Sequence, residues 1–523
     1  MAAHRDVTSL RVIVIGAGPA GVRAAQALVE AGLRPVVIDE GRRDGGQIYR
    51  RQPEGFSRSY ATLYGTEAAR AASLHHDFDG LRAHIDYRPD TLVWNIGTKA
   101  VHVVSGTRYG EIPFDALIIC SGATDRLMPV SGWHHAGAYS LGGAQVALKS
   151  QGCAVGARTV MMGTGPLLYL VAAQYVKAGA TVSAVLDTST LAQRVRALPQ
   201  LLAIPSTLFK GIALMRVLRR ARVAVHRGVT PVVIDGSTEQ GVTGVRVKLA
   251  SGANLDVACD AVALGYHLRS ETQLADLAGC EFRFDDATQT WLPHIDTDGR
   301  SSVAGVYLAG DGARVRGADA AERAGRLAAL AALADALGGA ESQGQERATG
   351  DTRSDMKADA RLATKGNAKG DSTGRATRVA DVERKGVAQL RAELARYTRF
   401  AAGLRAAFPW PARLAATLPD ETIVCRCEAI TAGELRRVVR DLGAQEANRA
   451  KAFSRVGMGR CQGRFCAHAG AEVIAAEARV PVKAVGRLRG QAPVKPLPMS
   501  LVSTHATAAA SENNESHAQE FSE

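Results

Sequence analysis

Val14-Ile15-Gly16-Ala17-Gly18-Pro19-Ala20-Gly21, near the start of the 523-residue chain, is the stretch that decides the fold. A β-branched run at residues 11–15 leads into it, an alanine-rich helix follows it, and a second strand ends at Asp39. In such a strand–loop–helix unit the glycines let the backbone approach a pyrophosphate, whose charge the helix N-terminus favours. The stretch therefore predicts a dinucleotide site, with Asp39 or the adjacent Glu40 accepting from a ribose hydroxyl.

A second glycine loop, Gly163-Thr-Gly165-Pro-Leu-Leu168, follows a later strand. Leu168 stands where a third glycine is expected, and that glycine normally lets the helix pack close to the strand. Asp187 ends the next strand and offers a carboxylate of the kind that binds NAD ribose. A working nicotinamide site and a structural relic of one both fit these residues, so NAD(P) stays an open alternative.

Strands and helices alternate through residue 310, which predicts an α/β fold with mainly parallel sheets. We assign a strand near residue 306 to the first sheet, so that the second unit is inserted within the first. The polar, aromatic-poor stretch at 336–386 predicts a disordered linker, and the tail at 501–523 is also expected to be disordered.

Composition and charge exclude several classes of protein. The net charge is +13, yet no helix-turn-helix, zinc-finger or aromatic-basic pattern indicates nucleic-acid binding, and we expect a solvated basic surface. No apolar run reaches the roughly 20 residues of a membrane span, and the N-terminus lacks a signal-peptide pattern. We therefore expect a cytoplasmic protein with reduced thiols, and peripheral membrane contact stays open.

Four of the eight cysteines form one C-terminal group, and the other four are scattered singly. The grouped residues are Cys425, Cys427, Cys461 and Cys466. Clustered cysteines in a reducing compartment more often hold metal than form disulfides, and the spacing alone also allows zinc. A dinucleotide loop and a thiol cluster in one polypeptide suggest two redox centres and hence electron transfer.

Three further motifs set the first unit within a known superfamily. They are Gly45-Gly-Gln47-Ile48, Ile119-Cys-Ser121-Gly122-Ala123 and Val306-Tyr-Leu-Ala-Gly-Asp311-Gly. With the first glycine loop they resemble the flavoproteins of the glutathione and thioredoxin reductase superfamily, which carry two nested Rossmann domains. The resemblance implies FAD in the N-terminal site, with Asp311 on the ribityl–pyrophosphate side, Gln47 near the flavin, and Ser121 and Gly122 beside it.

The same resemblance implies a division into domains. Residues 8–125 and 261–335 would form the FAD-binding domain, 126–260 the NAD(P)-like middle domain, and 387–500 a helical segment with a small cysteine domain. The disulfide reductases of this superfamily need two cysteines a few residues apart near the flavin. The chain has no such pair there, so thiol–disulfide chemistry is not expected.

The cysteine text Val424-Cys-Arg-Cys-Glu428, with Gly457-Met-Gly-Arg-Cys-Gln-Gly-Arg-Phe-Cys466, resembles bacterioferritin-associated-ferredoxin-like domains. That resemblance implies that the four grouped cysteines bind a 2Fe–2S cluster through their thiolates. We expect this basic domain to hang on the flexible linker and to dock against another polypeptide of a complex.

Together, the two domains resemble the FAD-binding alpha (A) subunits of heteromeric opine oxidase, D-hydroxyproline dehydrogenase and hydrogen cyanide synthase. The resemblance implies an oxidoreductase subunit that passes electrons from a small flavin-containing dehydrogenase subunit to a quinone or carrier. A small ferredoxin-like subunit is a further expected partner. A self-sufficient NAD(P)H-dependent reductase and a subunit with inactive cofactor sites are the alternatives, and the sequence singles out no catalytic acid or base.

Overall fold

The structure is a computed structural model, and it describes residues 10–349, 372–500 and 502–503. Its first strand is a Val-Ile run that is buried throughout, as expected for the centre of a parallel sheet. The elements up to Asp125 are β1 (Val12–Ile15), α1 (Pro19–Glu30), β2 (Val36–Ile38), α2 (Tyr60–Tyr64), α3 (Ala68–Leu81), β3 (Asp86–Arg88), β4 (Thr91–Ile96), β5 (Ala100–Ser105), β6 (Arg108–Pro113), β7 (Ala116–Ile119) and β8 (Ala123–Asp125).

A second α/β unit follows, and after it the chain returns to the first. The elements of this part are β9 (Ala138–Ser140), α4 (Leu141–Val146), β10 (Arg158–Thr164), α5 (Pro166–Lys177), β11 (Thr181–Asp187), α6 (Leu191–Arg196), α7 (Leu198–Leu201), α8 (Pro205–Arg220), β12 (Ala224–Arg227), β13 (Thr230–Ser237), β14 (Gly241–Lys248), β15 (Asn254–Ala258), β16 (Ala261–Tyr266), β17 (Leu268–Ser270), α9 (Gln273–Leu277), β18 (Phe282–Asp285), β19 (Thr290–Pro293) and β20 (Val306–Leu308).

Two five-stranded parallel sheets confirm the predicted nesting. The first has the order β20-β7-β1-β2-β3 and the second β12-β11-β10-β16-β9, so the strand at residue 306 does return to the first sheet. The two chain crossings, β8 and β17, pair side by side. Because β16 pairs with β10, the return comes after Tyr266 and not at residue 261, where the sequence alone places it. Periodicity cannot assign a fully buried strand to one of two parallel sheets.

The C-terminal part is mainly helical. Its elements are α10 (Ala318–Thr349), α11 (Ser372–Ala407), β21 (Ile423–Cys425), β22 (Ile430–Thr431), α12 (Ala432–Leu442), α13 (Ala447–Ser454), α14 (Ala467–Ala478), α15 (Val482–Val485) and β23 (Val502–Ser503). Helices α10 and α11 thus extend into the segment predicted as a linker, and β23 pairs with β6 at the start of the predicted tail. Residues 350–371 and 504–523 lie outside the described residues. No helix in the described part of the chain is long and apolar enough to cross a membrane.

The cysteine domain is docked on the middle domain. Trp133 donates its indole N–H to the carbonyl of Ile423 at 2.5 Å, and the hydroxyls of Ser131 and Thr422 are 2.9 Å apart. Val424, Leu435 and Val473 share one apolar core with Trp133 and Val262. The expectation of a domain hanging on a tether is therefore wrong, because the apolar surface buried here stabilises a fixed position.

Candidate cofactor sites

The first glycine loop is shaped by close backbone approaches. A Cβ on Gly21 would lie 1.7 Å from the carbonyl oxygen of Gly16, and Gly16 itself has a φ of +100°. Gly18 differs, because a Cβ there would meet nothing closer than the Cα of Gly46, at 3.5 Å. The space beside Gly18 at the N-terminus of α1 therefore fits a pyrophosphate.

Asp39 faces this loop. Its carboxylate accepts hydrogen bonds from the backbone N–H of Ala17 at 2.5 Å and of Gly41 at 2.6 Å. Burial raises the pKa of Asp39 to about 6 in spite of these bonds. Glu40 lies in a more exposed position and pairs with Lys495. Of the two predicted carboxylates, Asp39 is the one placed to meet a ribose at the loop.

The motif after β20 comes to the same place. A Cβ on Gly310 would lie 2.8 Å from the Cβ of Ala20, and one on Gly312 would lie 2.6 Å from Oγ of Ser121. The structure thus brings the Asp311 turn, the start of α1 and the end of β7 together. Gly122, next to Ser121, has open space where a Cβ would stand.

Asp311 is poised to accept from a ligand. Its Oδ1 accepts from the backbone N–H of Arg316 at 2.8 Å and of Gly317 at 3.0 Å. Within the described residues its Oδ2 accepts no hydrogen bond, and the residue lines a cavity of about 1690 Å³. Gln47 is held beside the loop, since Gly45 donates to the carbonyl of Ala17 at 2.9 Å. Its own amide oxygen accepts from Arg50 at 3.0 Å.

Four arginines that the sequence analysis missed also line this cavity: Arg126, Arg314, Arg316 and Arg405. Among the described residues none of them has a carboxylate within 4.0 Å. Nε and Nη2 of Arg126 and Nε of Arg316 are buried without a hydrogen-bond partner. Burial lowers the pKa of Arg126 to about 9, which leaves it charged at neutral pH. The cavity therefore favours an anionic or electron-rich ligand, and Arg314 and Arg316, directly after the Asp311 motif, were the signal for it.

In the second glycine loop the carboxylate is already satisfied. Asp187 is completely buried and accepts from the hydroxyl of Thr164 at 2.9 Å, the hydroxyl of Tyr169 at 2.5 Å and the backbone N–H of Ser189 at 2.7 Å. Arg194 adds an ion pair to the same carboxylate. No oxygen of Asp187 is left to bind a ribose, so the residue acts as a structural anchor.

The mouth of this loop is covered by the chain itself. The ring of Phe408 lies 4.8 Å from the guanidinium of Arg194, and its carbonyl accepts from Nε2 of His267. His267 in turn lies against Gly165, where a Cβ would stand 3.4 Å from its Nδ1. Leu168 is fully buried in the apolar core beside α5. Phe408-Pro-Trp-Pro411, which the sequence showed only as a connection, therefore closes the second loop.

The four grouped cysteines meet in one place. Cys466 donates hydrogen bonds to Cys425 and Cys461, and Cys461 also contacts Cys427. Chiefly through these bonds, the pKa falls to about 6 for Cys425 and to about 5 for Cys461, while that of Cys466 is raised. Within the described residues no three His, Cys, Asp or Glu side chains are arranged to hold a metal ion. The thiols form a chain of contacts, and four thiols are the donor set of a 2Fe–2S cluster.

A short hydrogen-bonded path joins the cysteine loop to the flavin side. Arg464 donates to the carboxylate of Glu271 at 3.1 Å, and Arg269 donates to the carbonyl of Arg464 at 2.9 Å. The carbonyl of Glu271 accepts from Oγ of Ser121 at 2.6 Å, and its N–H donates to Gly122 at 3.0 Å. Glu271 therefore connects the loop 461–466 to the end of β7.

Two family models match the chain. Residues 10–326 match the model described as Pyridine nucleotide-disulphide oxidoreductase, and residues 423–476 match the BFD-like [2Fe-2S] binding domain. The chain therefore belongs to the pyridine nucleotide-disulphide oxidoreductase family and is a flavin-dependent oxidoreductase. The two matches imply FAD and a 2Fe–2S cluster, which confirms the cofactors predicted from the sequence.

More narrowly, the chain belongs with the alpha (A) subunits of opine oxidases. It is 37% identical over 500 residues to the opine oxidase protein of this type from Agrobacterium tumefaciens (strain Ach5), covering 93% of this chain and 90% of that one. It is 29% identical over 501 residues to "Hydrogen cyanide synthase subunit HcnB" of Pseudomonas aeruginosa, covering 94% and 98%. The L-proline dehydrogenase from P. horikoshii shares its fold, with a TM-score of 0.58 and 17% identity over 94% of this chain and 78% of that one.

Proposed function

We propose that this chain is the electron-relay subunit of an opine or amino-acid dehydrogenase of the proline or D-hydroxyproline type. It takes electrons from a partner flavoprotein and delivers them to a quinone or carrier. The observation that supports this most is the path from the cysteine loop through Glu271 to Ser121 and Gly122. The similar proteins are named as subunits, which supports a partner chain as well.

The chain's own residues bind and orient. The Gly16–Gly21 loop, Asp39 and Asp311 hold FAD, and the unpaired arginines of the cavity face its electron-rich end. Cys425, Cys427, Cys461 and Cys466 hold the cluster, with N–H groups of Gly457 and Gly463 directed at their sulfurs. When bound, the flavin exchanges two electrons and the cluster one, which suits stepwise delivery.

The closed second loop argues against the alternative of a self-sufficient NAD(P)H reductase. Asp187 has no free acceptor, and Phe408 covers the loop where a dinucleotide would approach. Electrons would then enter from a partner subunit, not from a nicotinamide.

Loss of one cluster ligand tests the relay. In a complex reconstituted with the small flavin subunit, Cys461→Ser should abolish substrate-dependent dye reduction, because the cluster lies between the flavin and the acceptor. Iron and acid-labile sulfide should fall together. Cys153→Ser is the matched control, since Cys153 is exposed and its thiol contacts only the carbonyl of Ala147.

Two results would contradict the proposal. One equivalent of zinc without sulfide, in protein purified without oxygen, would make the cysteine group a structural site. Rapid oxidation of an amino or imino acid by the chain alone would place the substrate site in this subunit.

A further inference from the structure

Residues 191–222 are unusual in their charge. This stretch, which we call the basic hairpin, contains α6, α7 and α8 and ends at Arg222. It holds seven Lys and Arg and no Asp or Glu. In the sequence it passes as part of a solvated basic surface, and neither cofactor site uses it as a whole.

The basic hairpin also exposes much apolar surface. Six of the fifteen exposed large hydrophobic side chains in the described residues fall within it, and their exposed fractions reach 67% at Phe209. They are Leu191, Val195, Leu198, Leu202, Phe209 and Ile212. Apolar residues concentrated in this way on a surface mark an interaction site, whereas scattered ones do not.

Their spacing places them on common helix faces. Leu191, Val195, Leu198 and Leu202 follow one another at intervals of four, three and four residues, the spacing of one side of a helix. Phe209 and Ile212 repeat the interval on α8. Each of the two helical arms of the basic hairpin therefore presents an apolar stripe that nothing in the described chain covers.

Most of the positive charge is also free. Arg194 pairs with Asp187 and Lys210 with Glu67. The other five arginines have no carboxylate within 4.0 Å among the described residues: Arg196, Arg216, Arg219, Arg220 and Arg222. Arg216 lies four residues after Ile212, so positive charge continues the exposed face of α8.

We propose that the basic hairpin docks the protein on an anionic membrane surface. Helices that lie in a membrane interface combine Leu and Phe on one face with Lys and Arg, and acidic headgroups attract the cations. The core of a protein–protein interface is instead depleted in charge, so a free run of arginines favours the lipid. Leu198 and Ile212 also line the cavity that reaches Asp311, so the docked face would hold this opening at the bilayer.

Vesicle binding tests this inference without any electron transfer. The flavin- and iron-loaded chain should sediment with vesicles that contain phosphatidylglycerol and remain in solution with pure phosphatidylcholine vesicles. Added salt should weaken the binding, because exposed charges are screened. The double variant Leu202→Glu/Phe209→Glu should bind about tenfold or more weakly.

The control variant is Leu442→Glu/Phe453→Glu. It makes the same residue changes at positions that are 49% and 50% exposed, compared with 57% and 67% in the basic hairpin. It should bind like the unmodified chain. Absence of binding to anionic vesicles would overturn the inference, and so would equal loss in both variants. Protection of residues 191–222 from hydrogen exchange by the partner flavoprotein, without vesicle binding, would also overturn it and show a protein interface.

Discussion

The two glycine loops of this protein begin alike and end differently. Each follows a buried parallel strand, opens a helix with proline near its start and is followed by a strand that ends in aspartate. Asp39 bonds only to backbone N–H groups at its own loop, whereas Asp187 is held by two hydroxyls, a backbone N–H and an arginine. A dinucleotide motif therefore describes a backbone, and the partners of its carboxylate decide whether a ligand can bind.

The largest expected effect separates the loops by substitution. Gly18→Val should remove nearly all flavin, because its side chain would occupy the space beside the helix N-terminus. The fold should survive, since a Cβ at Gly18 makes only an ordinary contact. Flavin absorbance per chain, with iron content as the control for folding, measures this.

The counterpart, Gly165→Ala, should keep its flavin. Gly165 has a φ of +111°, so alanine there costs stability on the order of 1–3 kcal/mol without touching the first loop. Full flavin in Gly18→Val, or colourless protein from Gly165→Ala, would show that the two loops have been assigned the wrong roles.

A smaller effect is expected in the pH dependence of the flavin-free protein. Because the pKa of Asp39 is raised from 3.8 to about 6, the folded chain keeps a proton that the unfolded chain loses in this window. The free energy of unfolding should therefore fall as pH rises from about 4 to about 6, by on the order of 3 kcal/mol from this residue. Urea unfolding of Asp39→Asn should lack this component. Identical pH profiles for variant and parent would refute the buried carboxylate.

The smallest effect compares two buried tyrosines. The hydroxyl of Tyr169 donates to the carboxylate of Asp187 at 2.5 Å, and that of Tyr175 donates to the carbonyl of Ala144 at 2.8 Å. Tyr169→Phe should cost about 1.5–3 kcal/mol and Tyr175→Phe about 0.5–1.5 kcal/mol, because bonds to charged acceptors are stronger. Equal costs in chemical denaturation would mean that Asp187 does not depend on its internal donors.

Much of the fold and of the first site could be predicted from the sequence. Glycine spacing after a β-branched run has few physical solutions, so the loop at Gly16, the nested sheets and the place of Asp311 followed from local patterns. The cysteine group was equally legible, because thiols at such spacing have a limited chemistry.

Contacts between distant segments could not be predicted in this way. Phe408 reaches Arg194 across more than two hundred residues, and Glu271 joins Arg464 to Ser121 across similar gaps. The docked position of the cysteine domain was also missed, since a polar linker indicates freedom while the apolar contact at Trp133 fixes the domain. Burial of this kind is set by tertiary packing and leaves no local sequence signal.

Where electrons enter is tested most directly by stopped-flow flavin reduction. The flavin- and iron-loaded chain is mixed with NADH alone, and then with the small flavin-containing partner and its amino- or imino-acid substrate. We expect NADH to leave the flavin oxidised through the first seconds, because the second loop is closed by Phe408 and Asp187 is occupied. The partner and substrate together should bleach it rapidly. Rapid bleaching by NADH alone would contradict this account and identify the chain as a nicotinamide-dependent reductase.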